Sequence, residues 1–435
     1  MWETPNLMEL SPLAQSTSWS TSAKFGFRFL CLYFLLYLFP FPLNSIPLFE
    51  VVSNLFQQFW DAIIPWIGNT ILGIEGTIGT EFNGSGDRTY DYVLVFAMFI
   101  FALLGSLLWS LLDRKRINYI KLNHWLWVYV RYALAISLMG YGFAKVFKTQ
   151  FPSPHFFRLL GTYGDSSPMG LAWTFMGYSK AYNYFTGTAE LLAGLMLFRR
   201  TTSLGAIISI MVLVNIVMMN FCFDIPVKLY STHLLLMGVY VLSPDFKRIW
   251  NFFNNQPVVP KDESYPVWSG DWKWFRIAIK TLFIGYILYS SIDSGIERTK
   301  QWGDNAPNPP LYGLYEVDQF VLNGDTLPPL TTDTTRWQRL LVQWSGRTHI
   351  QHMDNKFKHY NLESDTVAQT MTIYSRQDTL NKHQFDYQLD PGKSLLMNGI
   401  WASDTLEVQF KVRGKEDFLL VNRGFNWINE RPYNR

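Results

Sequence analysis

Tyr90–Leu112, YDYVLVFAMFIFALLGSLLWSLL, holds one charged residue, Asp91, in 23 positions. As a helix, a run that long and apolar matches the roughly 30 Å hydrocarbon layer of a bilayer, and few other settings suit it. Comparable runs occupy 25–41, 124–147, 182–198, 204–223, 227–242 and 274–292. They predict an α-helical transmembrane bundle of about seven spans. Beyond residue 297 the pattern changes to short alternating runs: VAQTMTIYS, FDYQL, LEVQFKV and DFLLVNR. Period two with Asn323-Gly324, Pro391-Gly392 and Arg413-Gly414 as turns predicts an antiparallel β barrel or sandwich.

Only 16% of the 435 residues are charged, against about 25% in an ordinary soluble chain. The deficit lies before residue 300. The net charge of +3 is small, and no nucleic-acid partner is expected. Cys31 and Cys222 both sit in apolar runs, and no Cys-x-x-Cys or zinc spacing occurs. The tail has no cysteine and must stand on its own core.

Basic residues give the orientation. Arg114-Lys115-Arg116 with Lys121, Arg199-Arg200 and Lys247-Arg248 all fall on one side of a seven-span arrangement. Lys24 and Arg28, and Lys273 and Arg276, agree with them. The start is therefore read as cytoplasmic and the β domain as outside. The expected domains are a flexible start (1–24), two transmembrane helices with an outer amphipathic loop (25–122), and a four-helix core (123–250). A cytoplasmic linker (251–273), the last transmembrane helix (274–296) and the β domain (297–435) follow. Leu48–Leu72 is amphipathic, and either lies on the membrane surface or packs on the bundle. The stretch 148–178, broken by Pro152, Pro154, Gly161, Gly164, Pro168 and Gly170, reads as an outer loop with short helical pieces.

One acid stands out. Glu190 lies inside TGTAELLAGLMLFRRTTS (186–203), roughly 13 Å from Arg199 at helical rise. An intramembrane acid faces the bundle or a cavity, where it passes a proton or locks helices together. Lys145 closes its span with Tyr141 one turn inward, and either snorkels to headgroups or pairs with Asp224 or Glu190. Asn220, Asp224, Lys228 and His233 fall near the same outer side. A histidine beside an acid there suits proton release from a quinol. Arg131 is expected to snorkel at the opposite side. His349, His352, His359 and His383 read as surface or strand residues, without metal-site spacing. The terminal NRGFNWINERPYNR either closes the sheet or seats the tail on the bundle.

MGYGFAKVF (139–147) and FTGTAELLAGLMLFRRTTSLGA (185–206) resemble the DoxX family of four-helix membrane proteins. Gly142 and Lys145 match its first helix, and Glu190, Gly194, Arg200 and Gly205 match its second. The resemblance covers about a quarter of the chain. It implies a DoxX-like four-helix core and a quinone-interacting membrane component of a redox complex, of the kind linked with thiosulfate:quinone oxidoreductase. A similar ending recurs in DoxX-like proteins of Bacteroidetes, so the resemblance implies a bacterial inner membrane with the β domain in the periplasm. The chain also resembles, more weakly, the HTTM group, which is similar to vitamin K-dependent carboxylases; Asn215 stands where that group usually carries a histidine, which argues against carboxylase chemistry.

On this reading Glu190 is the catalytic candidate, and Tyr141, Lys145, Asn220, Asp224, Lys228 and His233 would hold the quinone. No heme, flavin, iron–sulfur or metal motif is present, so electrons would come from a partner oxidoreductase. The alternative is a non-catalytic binding, transport or scaffold module that presents its β domain to a periplasmic protein.

Overall fold

Residues 18–43, 49–259 and 272–434 are described by the structure, a computed structural model. Residues 1–17 of the expected flexible start and 260–271 of the expected linker lie outside them. In chain order the helices are α1 (Thr21–Leu38), α2 (Glu50–Trp66), α3 (Thr89–Leu112), α4 (Ile120–Val146), α5 (Phe156–Leu160) and α6 (Pro168–Tyr178). They continue as α7 (Lys180–Leu191), α8 (Thr202–Cys222), α9 (Lys228–Leu242), α10 (Phe246–Phe253) and α11 (Trp272–Gln301), with α12 (Leu419–Asn422) near the end. The chain divides into two compact units: Met1–Ala144 with Phe185–Asp293, and Lys145–Tyr184 with Ser294–Arg435.

In the first unit, apolar length dictates the helices. Thr21–Leu38, Thr89–Leu112, Ile120–Val146, Arg199–Cys222 and Trp274–Gln301 are five helical stretches long and apolar enough to cross a membrane. The other two expected spans are shorter. Helix α9 has 15 residues. Helix α7 has 12 residues and passes into a tightly wound 3₁₀ stretch, Leu192–Leu197. Six residues of 3₁₀ add about 3 Å of rise over an α-helix, so Glu190 sits further from Arg199 than a continuous helix would put it.

Helix α2 packs on α3 through one face, where Trp60, Ile64 and Ile67 meet Tyr90, Val93 and Ala97. That places Leu48–Leu72, as far as it is described, against the bundle, although Val51, Leu55 and Phe59 on the other face stay exposed.

Polar contacts gather at the two ends of this unit. At one end Arg28, 4% exposed, donates to the Tyr119 hydroxyl (2.8 Å), Ser110 Oγ (2.7 Å) and the Asp113 carbonyl (2.9 Å). Lys24 Nζ donates to the Arg116 carbonyl nearby. So the start of α1 sits beside the end of α3. Arg131 does not snorkel: it is 6% exposed, donates to Thr202 Oγ1 and lies over the Trp127 ring at 4.7 Å. The guanidinium is better placed there because the hydroxyl and the ring face accept it within the protein.

The second unit carries nine strands: β1 (Gly313–Leu322), β2 (Asp325–Thr326), β3 (Trp337–Trp344), β4 (Arg347–His352), β5 (Phe357–Asp365), β6 (Thr370–Ser375), β7 (Lys382–Asp390), β8 (Ser394–Trp401) and β9 (Asp404–Arg413). From β3 to β9 each strand pairs antiparallel with the next, β1 pairs with β3, and β1 pairs again with β9. Eight strands thus close an antiparallel barrel, with β2 as a short hairpin extension on β1. Of the two sequence expectations, barrel or sandwich, it is the barrel. Trp337, Phe320, Phe385 and Phe410, each at most 1% exposed, fill its interior. Asn323 and Gly324 both have positive φ in the β1–β2 turn, which only such a pair adopts readily.

DFLLVNR is not a strand: its middle is the helix α12. Nor does the terminal segment close the sheet, because β1 and β9 already pair over Leu314–Leu322. Three consecutive apolar residues, Leu419-Leu420-Val421, cannot alternate, and the turn Lys415–Asp417, capped by the Asp417 carboxylate on Gly414 N, starts a helix there.

The stretch 145–184 belongs with the barrel. Phe156 of α5 packs on Leu314 and Leu341, and Phe157 N donates to Gln343 Oε1 (3.1 Å). Asp304 accepts from Lys148 Nζ (2.8 Å) and Ser153 N (2.7 Å). Although burial pushes the Asp304 carboxyl up, those donors bring it below its usual range.

Candidate functional site

Glu190 is 2% exposed, one residue before the end of α7. Close backbone packing holds that helix in place. A Cβ on Gly142 of α4 would lie 2.8 Å from the Gly187 carbonyl oxygen and 2.9 Å from Leu191 Cγ. A Cβ on Gly194 would meet Met139 Sδ at 3.1 Å, and one on Gly205 of α8 would meet Met196 N at 2.7 Å. Gly142 and Gly205 let α4, the α7 segment and α8 approach until backbone touches backbone, and Gly194 makes room for Met139. Glu190 is therefore fixed by its neighbours, one turn from the Gly142–Gly187 contact.

His233 lies on α9, 7% exposed, with both ring nitrogens engaged. Its Nδ1 is 2.7 Å from the Leu229 carbonyl, which can only accept, so Nδ1 carries the proton in the neutral ring. The Tyr33 hydroxyl then donates to Nε2 at 2.6 Å. The Tyr37 ring stacks on the imidazole, 4.2 Å between centroids and 11° between planes. Tyr33 and Tyr37 are four residues apart on α1 and so share the face turned to α9.

The aromatic set continues towards Glu190. Tyr37 lies within electrostatic reach of Tyr230 and Tyr141. Tyr141 and Tyr230 have ring centroids 6.1 Å apart, and Tyr141 is within reach of the Glu190 carboxyl. Phenols, an imidazole and a carboxyl thus occupy one region, in which Glu190 and His233 are buried and Tyr141 is 38% exposed. Each is a group that can both give and take a proton.

The other expected residues make contacts of their own. Asn220 Nδ2 donates to Ser231 Oγ at 2.9 Å, joining α8 to α9. Asp224, in a turn with φ 50°, points outward with its side chain 84% exposed and pairs with Lys228 at 2.8 Å. The expected pairing of His233 with Asp224 is not made, because Tyr33 and Leu229 take both ring nitrogens. Lys145 is 5% exposed, with its ammonium 5.7 Å from the Phe151 ring centroid, and so does not reach out to headgroups.

Sequence reasoning missed Tyr33, Tyr37 and Tyr230, although the four-residue spacing of the first two was a usable signal. It also missed Asp87, whose carboxylate accepts from Lys228 N (2.8 Å) and Leu229 N (3.0 Å) at the start of α9. That helix has no side-chain cap of its own. Asp87→Ala is expected to cost about 1–2 kcal/mol of thermal stability in detergent. Asp224→Ala, at the exposed end of its ion pair, is expected to change it by no more than about 0.5 kcal/mol. Equal losses would show that the Asp87 cap is not what holds α9.

Among the described residues, no group of three or more His, Cys, Asp and Glu side chains is placed to hold a metal ion. No family profile and no solved structure matches the chain. It is similar to the uncharacterized protein YwoB of Bacillus subtilis (strain 168), 36% identical over 138 residues. That match takes in 29% of this chain and 82% of YwoB. Through that segment, the chain belongs to the family of YwoB.

Proposed function

We propose that the helical unit handles protons within the membrane and exchanges them with a quinone, as part of a redox complex. The set running from buried Glu190 through Tyr141, Tyr230 and Tyr37 to buried His233 and Tyr33 carries this reading. Tyr33, Tyr37 and His233 would hold the headgroup once it parts the Tyr33–His233 bond, since a quinone ring takes a hydroxyl and an imidazole as partners beside an aromatic face. When bound, the quinone supplies two-electron chemistry coupled to protons. The chain's own part is to keep Nε2 of His233 facing the Tyr33 hydroxyl and to keep Glu190 out of water.

The proposed setting is a DoxX-like protein of a bacterial inner membrane. Seven crossings would comprise the five long helices, α7 with its 3₁₀ extension, and α9. Lys24, Arg28 and Arg116 meet at one end of the bundle, which supports a cytoplasmic start and a periplasmic barrel.

The test is gentle purification followed by mass spectrometry of bound quinone, together with quinol-linked proton release in reconstituted vesicles. Glu190→Gln is expected to lower that release on the order of tenfold, with quinone still bound. His233→Leu is expected to lose the quinone. A quinone-free wild type, or proton release unchanged in Glu190→Gln, would sink the reading in favour of a non-catalytic module.

A further inference from the structure

A cleft of ≈ 690 Å³ opens within the barrel-bearing unit. Its walls include Arg158, Phe175, Tyr178, Tyr182, Phe418 and Leu420. The volume and largely apolar lining are those of a small-molecule site. Phe175 is 61% exposed and Tyr178 42%, so the aromatic wall lacks cover among the described residues.

Arg158 is the cation in that wall. No carboxylate bonds it among the described residues. Its guanidinium lies against the first turn of α6: a Cβ on Gly170 would sit 2.7 Å from Nη1 and 2.9 Å from Nη2. That turn is the positive end of an 11-residue helix. Two positive groups side by side at the rim of an apolar cleft repel each other, and an anion between them relieves the repulsion.

Chain connectivity narrows the occupant. The segment leaves the bundle unit after Ala144, near the end of the membrane-length helix α4, and returns at Phe185. Tyr182 is three residues from that return. A cleft wall tethered so briefly to the bundle unit, in a segment that leaves it from the membrane-length α4, is within reach of lipid.

We propose that this cleft binds a single-chain anionic lipid, its carboxylate or phosphate on the Arg158 guanidinium and its acyl chain along Phe175, Tyr178 and Phe418. The guanidinium fork matches either headgroup in two-pronged fashion, and the aromatic wall takes the chain. This site is separate from the proton-handling set and does not depend on it.

Native mass spectrometry of the full chain released from micelles, titrated with oleate, monoolein or inorganic phosphate, tests the proposal. Oleate is expected to give one saturable adduct, with monoolein on the order of tenfold weaker. Arg158→Gln is expected to bring oleate down to the monoolein level, while Arg158→Lys, which keeps the charge but loses the two-pronged fork, falls between Arg158→Gln and wild type. Phe175→Ser is expected to weaken both amphiphiles. Equal oleate binding in wild type and Arg158→Gln overturns the proposal, as does equal loss in Arg158→Gln and Arg158→Lys. Competition by inorganic phosphate as strong as by oleate overturns it too, because the site would then be for a free anion.

Discussion

Gly142→Leu is expected to destabilise the helical unit by about 3 kcal/mol, while Gly140→Leu on the same helix leaves it unchanged or slightly more stable. The two glycines differ only in what they face. A Cβ at 142 would meet the Gly187 carbonyl at 2.8 Å, a backbone atom that cannot rotate away. A Cβ at 140 would meet nothing within 4 Å. Leucine at 140 also gains close to 1 kcal/mol in helix propensity. The larger consequence of Gly142→Leu is functional. Pushing α7 off α4 carries Glu190 away from Tyr141, so any proton traffic between them falls with it. Thermal unfolding of the two variants in one detergent checks the first part, and quinol-linked proton release checks the second. Equal melting temperatures would show that the helices do not rely on this contact.

The contrast also explains why the sequence reading named Glu190, Tyr141 and His233 but not Tyr33, Tyr37 or Tyr230. Length and apolarity are local properties, so the long helices could be read directly. An acid within such a run is conspicuous because burying it has a cost. A tyrosine there is not: the chain has 23 of them, and most of the apolar runs carry at least one. Which phenols converge depends on α1 packing against α9, and Tyr33 and His233 are 200 positions apart. The same holds for the stretch 145–184. Its short helices were expected, but Lys148 finds Asp304 156 positions away, and local pattern says nothing of that. Asp224 misled for a different reason. Its spacing from His233 suggests proximity, yet the chain turns at φ 50° and sends the carboxylate outward. In the tail, alternation identified the sheet wherever it was strict, as in LEVQFKV, and failed at DFLLVNR, where it was not.

Acid is expected to destabilise the barrel-bearing unit by roughly 4 kcal/mol between pH 6.5 and pH 4, through His155 and His349. Burial pushes both imidazoles down to about 4, with the charges around them adding to it: Arg158 and Lys415 for His155; His359, Arg376, Arg347 and His155 itself for His349. His155 and His349 each stack edge-on against Trp344, at 5.3 and 5.4 Å, and each has a buried Nδ1 without a hydrogen-bond partner. The neutral rings therefore fit the fold, and the charged ones do not. The unfolded chain takes up these protons near pH 6.5 and the folded one only near 4, so stability is full above 6.5 and falls as pH drops through that window. A shift of this size corresponds to about 3 kcal/mol per ring in a dry interior; partial hydration brings it nearer to 2. Asp304 and Glu316 act lower on the scale. Burial pushes both carboxyls up, but Lys148 with Ser153, and Arg339 with Arg413, bring them below the usual range. Their contribution is lost only as pH falls through those depressed values, beneath the histidine window. Denaturant unfolding of the full chain, followed by barrel tryptophan fluorescence from pH 7.5 to 4.5, separates the two. His349→Phe is expected to flatten the slope in that window by about half, with His155→Phe removing most of the rest. A midpoint that does not move between pH 7 and 4.5 would mean that the α5 face of the barrel is wet, and that neither ring is held neutral by burial.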